Sequence, residues 1–176
     1  MVKSMSTNEG EVQVSAAGAE RIPTLEPLWA AMHEHHSAMQ DAVAPTRPVE
    51  ESWRLRKAQY EEWLSSDDAL LLIAERGGDP IGYAVVRFGP GAATWDIGER
   101  VAEIESLSVA TDARGSGIGT LLMDAVRAAT RDRGAERLFV GVAHANSGAL
   151  RFYEREGFAP FYVLLMEASD RPEGGP

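Results

Sequence analysis

Apolar residues recur along the chain in two periods. Residues 11–16 alternate weakly between apolar and polar, as a first strand would. Over residues 24–42, Leu25, Leu28, Trp29, Met32, His36 and Met39 stand three and four apart, the spacing of an amphipathic helix. Pro45 and Pro48 interrupt that pattern, because each lacks an N–H and restrains its neighbour. A second helix, about residues 50–64, puts Trp53, Lys57, Tyr60 and Leu64 on one side. Strands at residues 69–75 and 81–87 flank Gly77-Gly78-Asp79-Pro80, the chemistry of a hairpin turn. A loop with Trp95 and Asp96 follows, to about Arg100.

The order then changes to strand, glycine loop, helix, strand, helix, strand. Residues 102–109 form a strand, and residues 117–133 a helix with Ile118, Leu121, Leu122, Ala125, Val126 and Ala129 inward, stopped by Gly134. Residues 138–142 read as a strand, 147–156 as a helix closed by Gly157, and 161–166 as a final strand. Strands alternating with helices after an antiparallel hairpin indicate a mixed α/β sheet. One domain over residues 11–168 is expected, with flexible tails at 1–10 and 169–176.

Composition narrows the chemistry. The 17 Lys+Arg against 27 Asp+Glu give a formal charge of −10, which argues against tracking nucleic-acid phosphates and admits a cationic or amine partner. No cysteine is present, so a disulfide framework, a thiolate metal site and a thiol nucleophile are excluded together. No apolar run exceeds six residues, far from the roughly 18 needed to cross a bilayer, and no charged-then-apolar leader opens the chain; a cytoplasmic protein is expected. His33, His35 and His36 lack a well-placed carboxylate or third ligand, so no metal is expected.

The sharpest signal is Arg114-Gly115-Ser116-Gly117-Ile118-Gly119-Thr120, where a strand turns into a helix. Backbone N–H groups at a helix N-terminus can cradle a phosphate where side chains are small. The Walker A pattern fails for want of a lysine after its last glycine, since the only lysines are Lys3 and Lys57. The dinucleotide pattern fails because Leu121 or Leu122 stands where its third glycine belongs.

Arg114 to Gly119 resembles the Arg/Gln-x-x-Gly-x-Gly/Ala signature of the GNAT superfamily of acetyl-CoA-dependent N-acetyltransferases. Twenty-seven positions on begins Asn146, followed by Ala149, Tyr153, Gly157 and Phe158, similar at each defined position to the family's second signature, Asn-x-x-Ala-x-x-x-Tyr-x-x-x-Gly-Phe. The resemblance covers residues 103–158. It implies a mostly antiparallel twisted sheet of about seven strands flanked by about four helices, acetyl-CoA as cosubstrate, and transfer to an amine within a ternary complex.

The resemblance also implies roles. Arg114, Gly115, Ser116, Gly117, Gly119 and Thr120 would hold the CoA pyrophosphate, with Ile118 turned into the core. Leu107, Ser108 and Val109 would lie beside the pantetheine arm, with backbone N–H groups near Val109 polarising the thioester carbonyl. Asn146 fits a helix N-cap on sequence alone and contacts the cofactor in the family. The Tyr153 hydroxyl would serve the departing sulfur. Glu103 and Glu105, two apart and so on one face of a strand, are the candidate bases, with a water relay as the alternative. A second family position for a glutamate, twelve before the tyrosine, is Gly141 here. His33, Trp53 and the segment from Pro45 to Pro48 border the expected acceptor site, a small-molecule or peptide amine. Because many relatives dimerise, a homodimer is admitted. A non-catalytic acyl-CoA-binding or sensing module, or transfer of a longer acyl group, are the alternatives.

Overall fold

The computed structural model describes residues 3–7, 10–39 and 44–167. Its centre is β3 (Ala69–Arg76), whose unbroken apolar run is buried on both faces of a sheet. Because successive side chains point to opposite faces, Leu70, Leu72 and Ala74 enter one core while Leu71 and Ile73 enter another. The sheet orders six strands as β1 (Lys3–Thr7), β2 (Gly10–Ala17), β3, β4 (Asp79–Pro90), β5 (Arg100–Val109) and β6 (Arg137–Val140). All neighbours are antiparallel except β5 and β6.

Helices α1 (Glu26–Ser37) and α2 (Val49–Trp63) cover one face, closing over Leu25, Leu28, Trp29, Trp53, Tyr60 and Tyr83. Helix α3 (Ile118–Asp132) covers the other with Ile118, Leu121, Leu122, Met123 and Val126, and α4 (Ser147–Arg155) adds Tyr153 to the same core. The mixed, mostly antiparallel α/β architecture with four helices is therefore the one expected.

Three local expectations need correction. The segment expected to be a flexible tail, 1–10, contains β1, which pairs from Lys3 opposite Val14 to Thr7 opposite Gly10. Pairing with a neighbour, not the apolar pattern of residues 3–7, makes it a strand. The first long helix divides into a 3₁₀ segment at Ala19–Leu25 containing Pro23, followed by α1, which ends at Ser37. Residues 161–166 form no strand, and Leu164 and Leu165 are each 87% exposed. The described sheet thus has six strands instead of about seven. The expected C-terminal tail, 169–176, lies outside the described residues.

The feature that shapes the site is an irregularity in β5. Val85 pairs with Ser106 and Val86 with Ile104, so Glu105 is an extra residue, a β-bulge. The bulge inverts the strand's alternation. Ala102 and Ile104 face α3, yet beyond the bulge Leu107 and Val109 face α3 while Ser106 and Ser108 face α1 and α2. The pairing with β6 stops just there, at Ile104 opposite Val140, while β5 continues to Val109. Beyond that point the second half of β5 has no strand beside it on this edge among the described residues.

Candidate active site

The glycine loop stands at the end of that strand. Thr111–Ala113 form one 3₁₀ turn, and Arg114 folds back to donate from Nε to the Val109 carbonyl at 3.3 Å. Ser116 Oγ donates to the Ala113 carbonyl at 2.6 Å. Gly117 sits at the N-cap of α3 with φ of 87°, a left-handed conformation that glycine adopts without a Cβ penalty. No side chain caps the helix, and no acidic residue stands in its first turn. Its first N–H groups have no intrahelical acceptors and present partial positive charge. A Cβ built on Gly115 would meet nothing within 4 Å, so the loop surface is open.

The three glycines do different work. A Cβ on Gly119 would stand 3.1 and 3.2 Å from Cε2 and Cζ of Phe152, so this glycine lets α3 and α4 approach. Its expected role at the pyrophosphate is joined by a packing role that the motif alone does not reveal. Thr120 likewise has its hydroxyl engaged, donating to Glu156 Oε1 at 2.7 Å. Arg127 donates to Glu156 Oε2 at 2.9 Å and to the Glu156 carbonyl at 2.6 Å. These contacts tie the first turn and the middle of α3 to the end of α4. Ile118 is buried, as expected.

Helix α4 begins at Asn146, whose Oδ1 accepts from the Ala149 N–H at 3.0 Å, an N-cap bond. One turn later Tyr153 enters the core, 8% exposed, with its ring edge-on to Phe152 and Phe158 at 5.1 and 5.4 Å. Among the described residues its hydroxyl has no hydrogen-bond partner. Burial pushes the phenol up to about 12, because desolvation disfavours the phenolate. The group therefore stays a neutral O–H donor across the physiological range.

Glu103 and Glu105 lie on the α2 side of β5. Glu105 is the deeper of the two, its side chain 18% exposed, and it accepts from Arg87 Nη1 at 3.1 Å. Glu103 pairs across the sheet with Arg87 and is more open to solvent. Partial burial raises its carboxyl above the ordinary value, the charge of Glu105 adds to the rise, and Arg87 opposes it. The bulge thus gives the two carboxylates different surroundings: one ion-paired, one perturbed upward.

Ser108 points away from the loop and donates to the Leu28 carbonyl at 3.0 Å, fixing α1 to β5; Leu107 and Val109 pack toward α3. Any contact of these three with an elongated ligand would therefore be through the backbone. Trp53 is 8% exposed and packs on Trp29 with ring centroids 6.3 Å apart, so the structure gives it a core position and no open face toward an acceptor. His33 Nε2 is 2.8 Å from the Arg47 carbonyl, stapling α1 to the segment before α2. It lines an open cleft of about 840 Å³ with Pro27, Ala30, Glu34, Ser37 and Arg47. Burial, followed by the neighbouring His35 and His33, lowers the His36 pKa. No cluster of three or more His, Cys, Asp or Glu among the described residues could hold a metal. None of their helices is long and apolar enough to cross a membrane.

The pattern of the Acetyltransferase (GNAT) family matches residues 29–158. The chain belongs to that family of acetyl-CoA-dependent acyltransferases. It is 36% identical over 124 residues to a mycothiol acetyltransferase of Cellulomonas flavigena, an alignment covering 69% of this chain and 35% of that protein. An uncharacterized N-acetyltransferase of Mycobacterium tuberculosis is 29% identical over 146 residues, covering 83% of this chain and 81% of the relative. The chain spans about a third to a half of the mycothiol acetyltransferases it matches. Among solved structures, an aminoglycoside N-acetyltransferase in complex with CoA shares the fold with a TM-score of 0.70 at 16% identity, covering 93% of this chain and 97% of that one.

Proposed function

We propose that the protein transfers the acetyl group of acetyl-CoA directly to a primary amine within a ternary complex. The observation that carries this reading is the placement of the neutral, unpartnered Tyr153 hydroxyl on the helix that follows β6, where the second half of β5 is left unpaired, with the open glycine loop at the end of β5. The loop suits a pyrophosphate: small residues, an open surface at Gly115, and helix N–H groups that no side chain caps. Backbone groups of Arg114 to Thr120 hold it, and the backbone of Leu107 to Val109 borders the arm that leads to the thioester. Acetyl-CoA supplies the activated acyl carbon.

The chain's own residues manage the protons. Most amines arrive protonated and become nucleophiles on losing a proton. Glu103, the carboxylate with the raised pKa, takes that proton, directly or through water. Glu105, held by Arg87, stays in place beside it and keeps Glu103 basic by its charge. The new C–N bond forms as the C–S bond breaks, leaving a thiolate. A phenol near 12 lies well above an ordinary thiol at about 8.5, so full proton transfer to the thiolate is uphill. Tyr153 therefore acts as a hydrogen-bond donor to the departing sulfur. With no cysteine in the chain, no thiol acyl-enzyme intervenes.

Replacing Tyr153 by Phe tests the assignment. The ring still fills its place, so acetyl-CoA affinity stays near wild type while kcat falls on the order of 10²-fold. Unchanged kcat removes Tyr153 from the chemistry; a binding site that shows no turnover with any amine in the wild type favours a sensing module instead.

A further inference from the structure

Helix α2 carries a cation whose surroundings packing does not explain. Nearby, Arg47 pairs with Glu51 at 3.0 Å and Lys57 with Glu61 at 3.9 Å, each with a carboxylate one helical turn on. For Arg56 the positions one turn away are Ser52, Trp53, Gln59 and Tyr60, none of them acidic in a chain with 27 Asp+Glu. Its guanidinium carbon instead lies 5.3, 5.8 and 5.7 Å from the ring centroids of Trp29, Tyr60 and Trp63. Half-buried on three aromatic faces, it has no hydrogen bond or ion pair among the described residues.

The position is next to the chemistry. The Trp63 ring that carries Arg56 also carries Arg87, at 4.8 Å, and Arg87 holds Glu105 and lies opposite Glu103. Tyr60, beneath Arg56, donates to Ser106 Oγ at 2.6 Å, the residue after Glu105. A second donor is also without an acceptor: Nε1 of Trp29, a residue only 7% exposed. Cation–π contacts fix the guanidinium and leave its N–H groups for an oxygen ligand, and a planar carboxylate matches that fork.

We propose that Arg56, held by Trp29, Tyr60 and Trp63, binds a carboxylate on the acceptor, so that the acceptor is an amine bearing an anionic group, its amine toward Glu103 and its carboxylate toward Arg56. This inference rests on the transferase reading above and adds the acceptor's chemical class. Arg56 is a specificity residue in it, not a catalytic one.

Matched acceptors test it: ω-amino carboxylates of increasing length from glycine upward, their carboxamides, and the corresponding diamines, each assayed with acetyl-CoA by thiol release. The best carboxylate has kcat/KM about ten-fold above its carboxamide, in line with a charged hydrogen-bonded contact, with the diamine lowest. Arg56→Gln collapses that ratio toward one through KM, and Arg56→Lys restores part of it, which a purely structural role would not produce. Titrating the CoA-loaded protein with the same carboxylates changes tryptophan emission, because Arg56 rests on Trp29 and Trp63. Carboxamides or diamines acetylated as well as carboxylates overturn the Arg56 assignment and leave the transferase standing. Neither turnover nor an emission change with any carboxylate overturns it as well. Failure of acetyl-CoA itself to bind marks the fall of the transferase reading.

Discussion

Glu156 offers the clearest quantitative test of how α3 and α4 are held together. Its side chain is 10% exposed and receives Thr120 at 2.7 Å and Arg127 at 2.9 Å. Glu156→Ala removes both bonds. Hydrogen bonds to a charged group contribute about 1.5–3 kcal/mol each when buried. Two features lower the cost here. Thr120 is exposed and finds water. Arg127, 30% exposed, keeps the Glu156 carbonyl at 2.6 Å and lies 3.6 Å from Asp124, so it is not left uncompensated. The expected loss is about 2 kcal/mol, or roughly 4–8 °C in Tm for a domain of this size. Glu156→Gln, which keeps an acceptor but not the charge, loses about half as much. The effect reaches the site, because Thr120 follows Gly119 in the first turn of α3 and Glu156 lies three residues beyond Tyr153. KM for acetyl-CoA should therefore rise several-fold. Thermal melts of Glu156→Ala, Arg127→Ala and the double variant give the coupling. Additive losses, or a Tm within about 1 °C of wild type, refute the clamp.

Two further outcomes follow from the site's geometry. In Gly119→Ala the new methyl presses on Phe152, costing about 1 kcal/mol after the gain in helix propensity; adding Phe152→Leu restores both Tm and activity, and a single variant as active as wild type contradicts the packing role. Glu103 has a folded pKa above its unfolded one, so its contribution to stability is present below the unfolded value and lost as pH rises through the folded value. At neutral pH its charge is a net cost. Glu103→Gln should melt no lower than wild type at pH 7 while losing the acidic limb of kcat/KM, whose inflection in the wild type lies above the ordinary glutamate value of about 4.3. A variant that keeps that limb removes Glu103 as the base.

The chain's periodicity made most of this fold legible. β3 and β4 were legible from the hairpin turn chemistry between them, and α3 from an apolar face that repeats at helical spacing. The Asn146 cap was legible because Asn at that position bonds locally. What stayed hidden depends on partners far away in sequence. β1 exists through its register with β2, and the bulge at Glu105 through its register with β4. No local pattern joins Glu156 to Thr120 and Arg127, or reserves the space beside Gly119 for Phe152. Trp53 was expected to border the acceptor site, and its packing on Trp29 depends on a partner that no local pattern names. Arg56 carried a faint signal, a cation with no acidic residue one turn away on its own helix.

The central claim is that the loop from Arg114 to Thr120 and the unpaired second half of β5 receive acetyl-CoA. The most direct measurement is thermal unfolding with saturating acetyl-CoA, with CoA, and with NAD and ATP as controls. At about 100 times Kd, binding adds about 2.7 kcal/mol and raises Tm by roughly 5–11 °C for the CoA species alone. An unchanged Tm with acetyl-CoA and CoA, or an equal rise with NAD or ATP, contradicts the assignment and leaves the glycine loop a structural turn.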